Sequence, residues 1–170
     1  MSPSGHRRLR KRCAALVRDL PMPVPFDARA LCERVAARRG RPIRLVPMDG
    51  RAGVCGLWVA TDTTDLFFYE RVTTPPHQEH IILHELGHLL CDHHHASSTR
   101  GPALGPAFEQ LLPSLDPQMV HRILGRAGYT SEEEREAELL ASLIRQRARS
   151  HGGGTLTDRL HAALEDGADG

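Results

Sequence analysis

Aromatic residues make up only 4% of this 170-residue chain. Its core must therefore be assembled from Leu, Ile, Val and Ala rather than from stacked rings. Long apolar runs are missing too: none approaches the roughly 20 residues that a membrane helix needs. The opening stretch MSPSGHRRLRKRCAALV is basic, but its apolar run is short and is broken by Arg18 and Asp19, unlike a secretory leader. Cysteine is limited to Cys13, Cys32, Cys55 and Cys91, with no CxxC pair. Without a leader, these read as four reduced thiols in a cytoplasmic chain, most of them small core residues. Charge of either sign is not in excess: 22 Lys and Arg against 21 Asp and Glu give a net +1. That removes any global electrostatic case for nucleic acid or anionic lipid. The basic stretch HRRLRKR reads as a solvated helix face, so neither direct nucleic-acid binding nor membrane attachment is expected. What the chain does have in excess is histidine, 11 in all, and neutral imidazole is the commonest protein metal ligand.

The length suits one domain with ragged ends. Residues 5–20 have helical spacing, with Leu9, Cys13, Leu16, Val17 and Leu20 on one face. The proline-rich PMPVP that follows is a stiff connector. A second helix starts at an Asp27 cap and stops at Gly40. PIRLVPM alternates as a half-buried strand does, DGRAG is a turn, and VCGLWVATDTTDLFFYE reads as two strands around a Thr/Asp turn. Short connections make the expected three-stranded sheet mostly antiparallel. TTPPHQEHIILHELGHLLCDHH is a helix capped by Thr73 or Thr74, with Pro75 and Pro76 in its first turn. Its inward face is Ile82, Leu86, Leu89 and Leu90. A Gly/Pro/Ser-rich loop over 96–107 and a short helix from about Asp116 follow. YTSEEEREAELLASLIRQRAR is the second strong helix, acidic at its start and basic at its end as the helix dipole prefers. The expected fold class is α+β: a small three-stranded sheet packed against the histidine helix and further helices. The expected division is residues 1–26 as helix and connector, 27–148 as the main domain and 149–170 as a flexible tail.

HELGH at 84–88 matches HExxH. Residues four apart on a helix share a face, with Cβ atoms about 5–6 Å apart. His84 and His88 can then reach one Zn²⁺ ion at roughly 2.0–2.1 Å. Glu85 sits at the edge of that face, free to act on water as a general base, and Gly87 keeps the helix surface low. Catalytic zinc takes three protein ligands, and SEEEREAELLASLI offers carboxylates. Ala137, Leu140, Ala141 and Ile144 mark the buried face of that helix, which favours Glu136 as third ligand, with Glu133 second. Glu132 and Glu134 are expected to look outward, and Glu138 is least suited. His93, His94 and His95 are expected to decorate the end of the first helix. Tyr69, His80 and Tyr129 are candidate oxyanion or substrate contacts. Tyr69 ends the strand ahead of the motif helix, so a substrate peptide could pair along that hairpin edge, over Leu66–Glu70.

The chain resembles the ImmA/IrrE family of zinc metallopeptidases. IILHELGHLL and EREAELLASLI carry the resemblance, the second being similar to that family's E-x-E-A-x-x-F-A helix, with Leu140 in place of the aromatic. The resemblance implies a compact zincin-like (gluzincin-like) domain, zinc on His84, His88 and Glu136, and Glu85 as the base. It also implies a regulatory metalloprotease acting on a helix-turn-helix transcriptional repressor. A zinc-containing module that binds and inactivates a repressor without cutting it is the alternative.

Overall fold

A computed structural model describes residues 3–49, 55–93 and 129–152. They form four helices and one three-stranded sheet: α1 (Pro3–Arg18), α2 (Ala28–Arg39), β1 (Ile43–Met48), β2 (Gly56–Ala60), β3 (Asp65–Glu70), α3 (Pro75–Leu90) and α4 (Ser131–Gly152). The loop over 96–107, the short helix from about Asp116, His94, His95 and the segment after residue 152 lie outside the described residues.

Both ends of α2 follow from local chemistry. Asp27 Oδ1 accepts the Ala30 N–H at 2.7 Å, which satisfies one of the first-turn donors. Gly40 then takes φ 64° and returns its N–H to the carbonyls of Ala36 and Ala37. Only a residue without Cβ adopts that left-handed geometry at no cost. At the head of α3, Pro75 and Pro76 occupy the first turn after Thr74, although the Thr74 side chain makes no capping bond.

The sheet is mixed, which corrects the mostly antiparallel expectation. Its order is β1-β3-β2, with β1 and β3 parallel and β2 and β3 antiparallel. Successive strands do run in opposite directions, as the short links require. β3 nevertheless inserts between β1 and β2, so the β1–β2 pair never forms and a parallel pair replaces it. The β2–β3 hairpin turns at Thr61–Thr64, where Thr61 accepts at Oγ1 from the Thr64 N–H at 2.9 Å. At the mouth of the hairpin Asp65, 1% exposed, accepts from Arg39 (3.0 Å), Arg41 (3.1 Å) and Trp58 Nε1 (3.1 Å). A buried carboxylate with three donors is satisfied, and here it clamps the end of α2 to the sheet.

One core runs through all the elements. Leu31 of α2, Phe67 of β3, Ile82, Leu83 and Leu86 of α3, and Leu140 and Ile144 of α4 are its most buried side chains. Cys13, Val17 and Leu20 join the same cluster, so α1 packs on this core. Of the cysteines, Cys13 and Cys32 are buried, Cys91 is half-buried and Cys55 is exposed. Among the described residues no helix is long and apolar enough to cross a membrane.

α3 and α4 approach closely at Gly87. A Cβ on Gly87 would lie 2.9 Å from both the Cα and the carbonyl oxygen of Ala137. The glycine thus sets the spacing of the two helices that carry the histidines and the glutamates.

Candidate metal centre

His84 and His88 stand one turn apart on α3 and aim the same ring nitrogen at one point. Their Nε2 atoms are 3.0 Å apart. From α4, Glu134 brings Oε2 to 3.3 Å from His84 Nε2 and Oε1 to 3.8 Å from His88 Nε2. Donors of a tetrahedral zinc, each about 2.0–2.1 Å from the ion, stand about 3.3 Å from one another. Two imidazoles and a carboxylate at these separations are suited to one divalent ion.

The carboxylate that stands with the two histidines is therefore Glu134 rather than the expected Glu136. Glu136 is nearly buried, but it points elsewhere: Oε1 accepts from Arg12 Nε at 2.7 Å and also from Arg12 Nη2, and Oε2 lies 3.2 Å from His93 Nε2. The Arg12 and His93 bonds outweigh burial, which alone would raise the Glu136 pKa, and hold it below the usual carboxylate range. The reason lies in the two stripes of α4. Ala137 lies on the stripe that meets α3 at Gly87, and Glu134 precedes it by three positions on that stripe. Glu136 shares its stripe with Leu143 and Arg147, which faces α1, where Arg147 donates to the Val17 carbonyl. Glu138, least favoured from sequence, has Oε2 3.1 Å from His80 Nε2 and 3.6 Å from His84 Nδ1. Its hydrogen bond goes to His80, and it stands near His84 without bonding to it. Glu133 serves the helix start, its carboxylate accepting the Thr130 N–H at 2.7 Å, as in a capping box.

Glu85 is 3% exposed. Its Oε2 is the only buried side-chain polar atom among the described residues without a hydrogen-bond partner. Burial, then the charge of Glu134, pushes its pKa up to about 8, against a backbone N–H bond from Trp58 that lowers it. An orphaned carboxylate oxygen next to a ligand cluster points to a group that the protein itself does not supply. β2 makes room for this side chain. A Cβ on Gly56 would sit 2.6 Å from Glu85 Oε1 and 2.5 Å from Ile81 Cγ2. Gly56→Ala is expected to cost about 1–3 kcal/mol of stability through overpacking, measurable by chemical denaturation, and to turn the Glu85 carboxylate out of place.

His88 is fully buried, and burial, followed by repulsion from His84 and His93, lowers its pKa to about 3. It is thus a neutral imidazole over the physiological range, the form a metal requires. The Tyr129 ring stacks on the His88 ring with centroids 3.5 Å apart and an interplanar angle of 12°. Burial, then the charges of Glu85, Glu134 and Glu133, raises the Tyr129 pKa, so the phenol keeps its proton and can donate. Tyr69 is engaged by α2. Its hydroxyl accepts from Arg29 at 2.8 Å, under a guanidinium 5.0 Å from its ring. His93 is not a surface decoration of the helix end. α3 stops at Leu90, Asp92 takes φ 55°, and His93 folds back, 8% exposed, with Nδ1 3.0 Å from His88 Nδ1.

Two His/Cys/Asp/Glu groupings with metal-ligand spacing thus occur among the described residues: His84, His88 and Glu134, and Cys91, His93 and Glu136. Glu134, Glu138, His93 and Arg12 were missed from the sequence. Placing Ala137 against Gly87 would have exposed the first two. His93 and Arg12 depend on contacts between distant segments, which no periodicity signals. No protein-family model, curated protein or solved structure matches the chain.

Proposed function

We propose that the chain is a zinc-dependent metallopeptidase of the ImmA/IrrE type, hydrolysing a peptide bond in a helix-turn-helix repressor. One observation carries this reading: His84, His88 and Glu134 converge at ligand spacing, while the neighbouring Glu85 is left buried with an unsatisfied oxygen. Zinc bound there supplies a Lewis acid that polarises a carbonyl and activates water near neutral pH.

The chain's own residues do the rest. Glu85, held between β2 and α3, takes up a proton at its carboxylate and returns it to the leaving amine. Tyr129 and His80 flank the ligand pair and offer donors to a developing oxyanion. The Glu134 side chain is 47% exposed, so the group opens toward solvent on the α4 side, where a protein substrate can enter. β3 cannot receive a peptide as expected from the sequence, because both its edges are paired. The outer edge of β2, unpaired among the described residues, takes that role beside Glu85, and main-chain pairing there would leave sequence preference to side-chain pockets.

Metal analysis of the purified protein, followed by incubation with the candidate repressor, tests the reading. One zinc per chain and chelator-sensitive cleavage are expected. A protein that takes up no zinc at micromolar concentrations would refute it.

A further inference from the structure

Glu136, His93 and Arg12 lie beside the metal centre without joining it, and the zinc reading above gives them a task. We propose that they form a directed hydrogen-bond chain that holds His88 in the one tautomer able to bind metal through Nε2, and so act as positioning residues rather than as ligands.

The direction follows from counting donors. Arg12 has only N–H groups to give, and two of them go to Glu136 Oε1. Glu136 Oε2 is an acceptor as well, so the 3.2 Å contact with His93 Nε2 places a hydrogen on that nitrogen. In the chain proposed here His93 carries that one ring hydrogen and leaves its Nδ1 bare to accept. Only 3.0 Å away is His88 Nδ1, and two facing ring nitrogens must be one donor and one acceptor. His88 therefore carries its hydrogen on Nδ1 and presents a bare Nε2 to His84 Nε2 and Glu134. Reversing any one bond would put a hydrogen where the ion must sit. The fold sets this up across distant segments. α1 contributes Arg12, α4 contributes Glu136, and the left-handed turn at Asp92, φ 55°, returns His93 beneath α3.

The same three side chains could be mistaken for part of a second ion site, since Cys91, His93 and Glu136 stand within ligand distance. The Arg12 guanidinium argues against a cation there, because it already occupies Glu136 Oε1.

The test measures zinc affinity by competition with a chromogenic chelator and records the visible spectrum of the cobalt-substituted protein. Circular dichroism melts of the metal-free protein serve as the folding control. His93→Leu keeps much of the volume and removes both bonds; zinc affinity is expected to fall about 10- to 100-fold. His93→Asn places an oxygen near the Nδ1 position and is expected to restore much of that loss, which a purely space-filling role would not allow. Glu136→Gln is expected to weaken binding while leaving the cobalt spectrum four-coordinate, whereas Glu134→Gln changes the spectrum because a ligand is lost. Should His93→Leu fail to fold, Arg12→Met reads the chain from its far end. The Arg12 side chain is 62% exposed, and several-fold weaker binding is expected. Undiminished affinity in the folded His93→Leu protein, or in Arg12→Met if His93→Leu does not fold, overturns the chain. So does a wild type holding two ions, one of them lost with His93. A wild type that binds no zinc at all overturns the metal reading itself, a separate and earlier failure.

Discussion

Glu85→Gln is expected to keep one zinc per chain, to slow peptide hydrolysis by about 10²- to 10⁴-fold, and to make the metal-free protein more stable above neutral pH. Activity and stability move in opposite directions for one reason. Burial, with Glu134 adding to it, raises the Glu85 pKa from its ordinary 4.5 to about 8. An unfolded chain gives up this proton near pH 4.5, the folded metal-free chain only near pH 8. Between those values the folded state holds the extra proton, so stability falls as pH rises, by up to about 1.4 kcal/mol per pH unit. The loss is complete above pH 8 and absent below pH 4.5. Glutamine has no such proton and removes the slope. His88 acts the other way: its folded pKa is held down to about 3, so its share of stability grows from pH 3 to its ordinary 6.5 and is full above that. Both chains carry His88, and its contribution cancels in their difference. Denaturant titrations of metal-free wild type and variant at pH 5 and pH 8.5 give the difference directly. Equal pH dependence would show that Glu85 is solvated rather than buried beside the ligands. The activity arm separates the two classes of protein the motif allows. A non-cleaving module that inactivates a repressor by binding has no use for the Glu85 carboxylate, and the glutamine variant would then relieve repression as well as the wild type does.

The motif helix was legible because its signals are local. Four-residue spacing, paired prolines at the start and an apolar stripe of Ile82, Leu86, Leu89 and Leu90 all act within one element, and the structure buries the first three and leaves Leu90 half-buried against the core. The caps at Asp27 and Gly40 were legible for the same reason. Strand pairing was not. Nothing in PIRLVPM or GLWVA says that a third strand will insert between them, because that choice depends on which faces α2 and α3 cover. On α4 the buried face was read correctly as Ala137, Leu140, Ala141 and Ile144, all 0% exposed. Yet a buried face more than 100° wide touches two partners. Large Leu140 lies on the stripe that carries Glu136, which meets α1, whereas small Ala137 marks the stripe that meets α3. Bulk indicated burial, and only the small residue indicated close approach.

That close approach gives the second large expected effect. Gly87→Ala puts a methyl 2.9 Å from the Ala137 Cα and carbonyl oxygen. Backbone atoms of a packed helix cannot turn aside as a long side chain can, so α4 itself must move. Better helix propensity of alanine returns about 1 kcal/mol, and overpacking costs about 1–3 kcal/mol, so the net change in stability is modest. The effect on the metal centre is not. Glu134 lies one turn from Ala137 and meets His84 Nε2 at 3.3 Å, and an outward shift of α4 removes the carboxylate while His84 and His88 stay on α3. Zinc affinity is expected to drop by at least about 100-fold, the scale of losing a charged ligand, with the fold retained. Ala137→Gly added to Gly87→Ala should give no rescue, because the collision is with Ala137 backbone atoms and not with its methyl. Chelator competition on the single and double variants decides it. Wild-type affinity in Gly87→Ala would mean that the carboxylate reaches the histidines without help from the helix crossing. Full rescue by Ala137→Gly would move the point of contact to the Ala137 side chain.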